Sequence, residues 1–405
     1  MSAITISDQT LIRATATTAN PAKVTGSRDI RLDFFRGIAM FIILAAHIPS
    51  DWLALWIPAR FGFSDATEMF VFCSGMASAI AFGAVFRERG WLMGTARVAF
   101  RLWQLYWAHI GLFVAVAAAS AVLFASGWFE IDHVGQMNLY PFFDDPLVHL
   151  PALLTLTYVP NYFDILPMYI VVLAMLPLVI ALARLHLWVA VAFVIGLWVM
   201  ASVFGVNLPA EPLSDRPWFF NPFGWQLVFF TGFGFASGWL KVPPVDRRLI
   251  QLAIVVVVVS VPFAYFRVIN AVPEIQEWRK ANVVLIDKTN FGLFRYVHFL
   301  ALAYLALCLV GPKGARLLAS PANPTWARLW HQTRTVIMTV GQQSLAVFVF
   351  SMFIAVLLGA VLDAVGRSAV SMIWVNALGF AMISAAAYGA AWFKKKSWVI
   401  KGAKA

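Results

Sequence analysis

Arg36 and His47 stand eleven residues apart in the first strongly apolar segment of the chain, and their side chains are of types that bind anions or transfer protons. On a helix, eleven steps of 100° return to within roughly 20° of the starting direction, and a rise of 1.5 Å per residue separates the two residues by about 16 Å. A cation and a titratable imidazole are costly inside a membrane helix and usually mark a pathway or a reaction site. The spacing therefore predicts a functional pair on one face of the first helix.

Two carboxylates, Asp65 and Glu68, open the second apolar segment. If the first two segments are antiparallel, these carboxylates reach the membrane depth of His47. A carboxylate bonded to one ring nitrogen would set the tautomer of His47 and leave the other nitrogen as a base. Structural alternatives stay open: the two acids have the spacing of a helix capping box, His47 can end its helix, and Arg36 can extend to lipid headgroups as an anchor.

A basic cluster lies between and into the second and third apolar segments, at the opposite end from His47; it consists of Arg87, Arg89, Arg97 and Arg101. Guanidinium groups match phosphate oxygens in geometry and charge. A donor that is held by its phosphates at one membrane face and reacts near the other must be long and thin, as acyl-coenzyme A is. The cluster also serves as a topology signal, with or without donor binding.

The elements that position these residues are predicted to be membrane helices. The chain has 405 residues, of which 61% are hydrophobic and 12% are charged, whereas soluble proteins carry about 25% charged residues. Apolar runs of about 20 residues predict spanning helices, and about ten occur: 34–49, 66–86, 99–126, 165–183, 187–206, 222–240, 249–267, 291–310, 337–364 and 369–393. The predicted fold class is an all-α, polytopic integral membrane protein, with 147–159 as a proline-broken interfacial or re-entrant piece.

Lysine and arginine alternate between the ends of these segments, which predicts that both termini are cytoplasmic. The net charge of +11 is then mostly a topology signal and gives no case for nucleic acid binding. We expect a disordered tail at 1–28, a transmembrane domain at 29–396 and a basic tail at 397–405. The seven histidines lack metal-ligand spacing, so no metal site is predicted, and His109 and His298 are interpreted as packing residues.

Several motifs resemble one family of membrane enzymes. They are Arg31-Leu-Asp33-Phe-Phe-Arg36-Gly37, Ser64-Asp65-Ala-Thr-Glu68, Trp103-Gln104-Leu-Tyr106, Asp164-Ile-Leu-Pro167-Met-Tyr169 and Asn221-Pro222-Phe-Gly-Trp225-Gln226. These motifs resemble those of the OpgC family of osmoregulated periplasmic glucan succinyltransferases. The Arg-x10-His pattern is also similar to that of the wider acyltransferase-3 superfamily.

The resemblance implies an enzyme of the bacterial inner membrane, an O-succinyltransferase with cytoplasmic succinyl-CoA as donor, a periplasmic glucan as acceptor and no permanently bound cofactor. It implies that Arg36 and His47 form the functional pair, and we expect acceptor binding at Asp164, Tyr169, Trp225 and Gln226. The family's Arg-x-x-Arg motif is replaced here by Arg97-x-x-x-Arg101.

The alternatives are an O-acetyltransferase of another surface polysaccharide and, from a different class, a transporter or flippase. Against the transporter stands the lack of a clear inverted repeat. Contact with membrane lipid is expected, and a homo-oligomer remains open.

Overall fold

The computed structural model describes residues 29–129, 131–396 and 398, and within them the all-α prediction is confirmed. Apart from one isolated bridge between Pro209 and Pro217, the regular elements there are helices. The predicted tails at 1–28 and 397–405 lie outside the described residues, with the exception of Trp398.

Nineteen α-helices make up the described part of the chain. In chain order they are α1 Ile30–His47, α2 Ala66–Glu88, α3 Gly90–Ala125, α4 His133–Gln136, α5 Tyr140–Asp144, α6 Pro146–Leu154, α7 Ile165–Ala174, α8 Leu176–Leu185, α9 Leu187–Ser202, α10 Pro222–Ser237, α11 Arg247–Ala264, α12 Phe266–Ala271, α13 Pro273–Ala281, α14 Val283–Ile286, α15 Leu293–Val310, α16 Ala315–Leu318, α17 Pro324–Gln342, α18 Ser344–Val365 and α19 Ala369–Lys394.

Seven helical segments of the described chain are long and apolar enough to cross a membrane: α2, α3, the α7–α8 pair, α11, α15, α18 and α19. The other three predicted spans are also helical but differ in kind. Helix α9 is apolar but only 16 residues long, α10 also has 16 residues, and α1 carries three charged side chains within its 18 residues. The chain is therefore a membrane protein with seven clear spans, and the count of ten remains a prediction.

Three predicted boundaries differ from the structure. The basic loop expected before residue 99 is mostly helical: α3 begins at Gly90, and Arg89 alone separates it from the end of α2. The predicted span 337–364 is divided at Gln343 between α17 and α18. Within 147–159, only α6 is helical, and it stops at Leu154.

Helices α2 and α10 pack along each other at the centre of the bundle. Their backbones approach closely, since a Cβ added at Gly75 would lie 1.9 Å from Phe229 O and one added at Gly232 would lie 2.2 Å from Phe72 O. Helix α10 is buried over most of its length, whereas α11 is mostly exposed at the periphery. Glycines therefore allow α2 and α10 to pack closely at the centre of the bundle.

The bundle has two ends, here called the Ile30 face, where α1 begins, and the His47 face, where α1 ends. Helix α2 begins at the His47 face and runs back. Helix α19 runs antiparallel to α1, since Asn376 contacts Asp51 and Phe380 packs on Phe41 at 5.3 Å. The helical ends nearest both chain termini therefore lie at the same face, and which face is cytoplasmic remains a prediction.

Candidate active site

His47 ends α1 with one ring nitrogen fixed and the other available. Its Nδ1 lies 2.6 Å from Ile43 O, and because a carbonyl only accepts, Nδ1 carries the proton and a neutral ring keeps its lone pair on Nε2. Within the described residues, Nε2 has no hydrogen-bond partner. The expected carboxylate partner of His47 is replaced by a carbonyl of its own helix, which fixes the same tautomer.

Tyr162 packs edge-on against the His47 ring, with centroids 5.3 Å apart. Its backbone has a φ of 84°, a left-handed conformation that costs a non-glycine residue about 1–3 kcal/mol. The Tyr162 hydroxyl donates to Met352 O at 2.6 Å, which ties this loop residue to α18. The strained residue thus forms one wall around the imidazole.

Four charged residues form a network at the start of α2. Glu68 is fully buried and accepts from Arg295 Nε and Nη2 at 2.9 and 2.5 Å. Asp65 Oδ2 accepts from Lys288 Nζ at 2.6 Å and lies 3.8 Å from Arg295 Nη2. Two acids and two bases make this ionic quartet neutral, as buried charges require.

The capping-box interpretation of Asp65 and Glu68 is confirmed. Asp65 accepts from the backbone N–H of Thr67, and Glu68 accepts from the backbone N–H of Asp65. The same two carboxylates also bind the quartet's cations, so the structural role does not exclude a chemical one. Lys288 and Asp65 also lie near enough to His47 for their opposite charges to interact with its ring.

Lys288 and Arg295 were not predicted from the sequence. Lys288 lies in a loop where mixed charges obscure the pattern, but Arg295 is a cation just inside an apolar segment, which is a usable signal. Trp225 holds the lysine by donating from Nε1 to Lys288 O at 2.9 Å, and the N–H of Asn221 donates to the neighbouring Thr289 O at 3.0 Å.

Trp225 and Gln226, expected at the acceptor, are fully buried in α10. Gln226 donates to Val194 O at 2.7 Å. Both therefore lie behind the site instead of on its surface: Trp225 positions the Lys288 loop, and Gln226 ties α10 to α9.

Asp164 and Tyr169 lie at the start of α7, near the His47 face. Burial raises the pKa of the Asp164 carboxyl to about 7, even though the positive charge of Arg216 acts in the opposite direction. Within the described chain its Oδ1 has no hydrogen-bond partner. Tyr169 is partly buried and packs on Phe229 of α10 with centroids 6.0 Å apart.

Arg36 is buried against the junction of α17 and α18. Its Nη1 donates weakly to Gly341 O and Ser344 Oγ, both at 3.4 Å, and in the described residues its Nε has no partner. Helices α1 and α17 meet closely here, since a Cβ at Gly341 would lie 1.9 Å from Asp33 O. Arg36 and His47 share α1 but lie at different depths.

The predicted donor-binding arginines lie at the Ile30 face, around the turn between α2 and α3. Arg87, Arg89 and Arg97 are exposed, whereas Arg101 is partly buried and donates to Gln104 Oε1 at 3.0 Å. The structure leaves the first three side chains open to an anion.

The two histidines inside the spans differ: His298 is hydrogen-bonded, whereas neither ring nitrogen of His109 has a hydrogen-bond partner among the described residues. His298 Nδ1 accepts from the backbone N–H of Ser64 at 3.2 Å, and Ser64 Oγ lies 2.7 Å away. His109 is fully buried on α3. No group of three or more potential metal ligands occurs among the described residues.

Fold and site together define an integral membrane protein of the helical-bundle class, with a histidine and a buried ionic network at one face. Residues 28–395 match the family described as OpgC protein, and the chain belongs to this family. Membership indicates a transferase, and the family name points to a glucan-modifying acyltransferase. No curated protein and no solved structure matches the chain.

Proposed function

We propose that this protein is an O-succinyltransferase of the bacterial inner membrane, which moves a succinyl group from cytoplasmic succinyl-CoA to a hydroxyl of a periplasmic glucan. The observation that carries the proposal is the fixed tautomer of His47. With Nδ1 bonded to Ile43 O, the unpartnered Nε2 is a base at the end of a membrane helix.

The reaction needs one proton acceptor and one long donor. His47 Nε2 takes the proton of the glucan hydroxyl as its oxygen attacks the thioester carbonyl. The carbon–sulfur bond then breaks, the ester remains on the glucan, and the coenzyme A thiolate leaves and takes up the proton. A covalent acyl-histidine on Nε2 is compatible with the same geometry.

The donor would lie across the bundle, with its phosphates at one face and its acyl group at the other. The open arginines Arg87, Arg89 and Arg97 suit the phosphates of coenzyme A at the Ile30 face, and the acyl group is consumed at the His47 face. On this proposal the Ile30 face is cytoplasmic, which agrees with the distribution of lysine and arginine. Asp164 and Tyr169 stay as proposed acceptor contacts, since Asp164 precedes α7 and Tyr169 lies in its second turn, near the same face as His47.

The test is His47→Gln in purified protein. Labelled succinyl-CoA and glucan are mixed with the protein in detergent, without a gradient, and succinyl ester is measured by mass spectrometry. Glutamine keeps some hydrogen bonding but not the basicity, and loss of a general base typically costs about 10²–10⁴ in rate. The matched control is His331→Gln, because His331 is exposed on α17.

Wild-type turnover in His47→Gln at saturating donor would remove His47 from the chemistry. Wild-type protein that transfers acetyl from acetyl-CoA but not succinyl would favour the acetyltransferase. No transfer of either group in detergent would favour a transporter.

A further inference from the structure

We propose that Lys288 is a specificity-determining residue: its ammonium binds the distal carboxylate of the acyl group and makes the site selective for a dicarboxylic acyl donor. This rests on the proposed acyl transfer at His47. The observation behind the proposal is that Lys288, paired with Asp65, lies at the same face of the bundle as His47.

The length of the acyl group limits how far from His47 its carboxylate can bind. The carbonyl carbon of a succinyl thioester and its free carboxylate carbon are three carbon–carbon bonds apart, about 4 Å at roughly 1.5 Å per bond. Arg36 lies about 16 Å from His47 along α1. Both side chains lean toward the N-terminus of the helix, so the lean does not bring them closer together. Arg36 therefore cannot bind the carboxylate of an acyl group that reacts at His47.

The contacts of α18 also place Arg36 and His47 far apart. Arg36 contacts Ser344 at the start of α18, whereas Tyr162, the neighbour of His47, bonds to Met352 O on the same helix. Eight residues of helix correspond to about 12 Å. The cation that recognises the acyl group must therefore come from the His47 face.

Two cations of the ionic quartet lie at the His47 face, and only one is open. The Lys288 side chain is 33% exposed, whereas that of Arg295 is 9% exposed and is held by Glu68. An ammonium has three N–H donors, and Lys288 uses one on Asp65 Oδ2 at 2.6 Å. The remaining donors suit a second carboxylate.

The ammonium is also held in place. Its Nζ lies 5.6 Å from the centre of the Phe220 ring, a cation–π contact, and Trp225 fixes the lysine's own carbonyl. A positioned cation loses less entropy on binding than a free surface lysine. Because Asp65 and Glu68 already neutralise the two cations, the incoming carboxylate adds one negative charge, which the two unused N–H donors of the partly exposed Lys288 and the solvent around it would accommodate.

The experiment compares succinyl-CoA with butyryl-CoA, whose acyl group has the same four carbons without the carboxylate. For Lys288→Gln, we expect the ratio of the two kcat/KM values, succinyl over butyryl, to fall roughly ten- to hundredfold, as for loss of a charged hydrogen bond. Lys280→Gln is the matched control, since Lys280 is exposed on α13, and its ratio should equal that of the wild type.

An unchanged ratio in Lys288→Gln, including an equal loss with both donors, overturns the assignment of Lys288 but leaves acyl transfer at His47 intact. Absence of transfer by the wild type with either donor counts against the proposed function itself. If Lys288→Gln fails to fold, the double variant Asp65→Asn/Lys288→Gln removes the pair without leaving an unpaired carboxylate. Its ratio must fall in the same way.

Discussion

Glu68 and Arg295 should be energetically coupled, because each leaves the other uncompensated when it is removed. Glu68 is fully buried and the Arg295 side chain is 9% exposed, with two hydrogen bonds between them. Removing one partner of a buried pair costs about 3–5 kcal/mol. In Glu68→Gln, the carboxylate that remains near Arg295 is Asp65, at 3.8 Å. Asp65 is already paired with Lys288.

The double variant Glu68→Gln/Arg295→Gln retains the pair of Asp65 with Lys288 and restores neutrality. We expect each single variant to lower the unfolding midpoint in detergent by roughly 5–15 °C, and the double variant to lose less than the sum, with a coupling of about 2–3 kcal/mol. The assay is thermal unfolding followed by size-exclusion chromatography, with the exposed Glu274→Gln as control. Additive losses in the double variant would refute the idea that the quartet is one charge-balanced unit.

Three further predictions concern topology, donor binding and pH. An impermeant thiol reagent added to intact cells should label Leu213→Cys at the His47 face but not Leu92→Cys at the Ile30 face, both being exposed positions; labelling of position 92 from outside would reverse the orientation. Arg97→Glu should raise the KM for succinyl-CoA about tenfold or more, by loss of a phosphate contact, while the protein stays folded; an unchanged KM would leave Arg97 as a topology signal. The raised pKa of Asp164, about 7, means that the folded state holds a proton that the unfolded state has already lost, so wild-type stability should fall as pH rises from about 4 to 7. Asp164→Asn should lack this component of the slope, and identical slopes in thermal unfolding across that range would exclude it.

The sequence predicted the helical architecture well because hydrophobicity and length decide whether a segment crosses a membrane. Nearly every predicted segment corresponds to a helix with ends a few residues away. The predicted boundaries were wrong where helix propensity extended a helix beyond its apolar segment. Arg97 and Arg101 were expected near a loop, but arginine is a good helix former, so α3 continues through them to Gly90.

The candidate site was predicted in part. Helical periodicity placed Arg36 and His47 on one helix, and the capping-box spacing of Asp65 and Glu68 was correct. The pairing of these carboxylates was not predictable, because Lys288 and Arg295 lie 223 and 227 residues along the chain from Asp65 and Glu68. Pairing across such distances depends on tertiary packing, of which the sequence alone gives no local signal. Trp225 shows the same limit, since its indole acts on a backbone carbonyl that no motif identifies.

The shortness of α10 has a consequence for the membrane itself. Sixteen residues of helix measure about 24 Å, less than the roughly 30 Å of a bilayer's hydrocarbon core, whereas α3, with 36 residues, measures about 54 Å. Hydrophobic mismatch is felt by the helices that touch lipid, and α10 is enclosed by other helices. The centre of the bundle is therefore crossed by a helix shorter than the hydrocarbon core, and a bilayer of different thickness would act first on the outer helices that touch lipid.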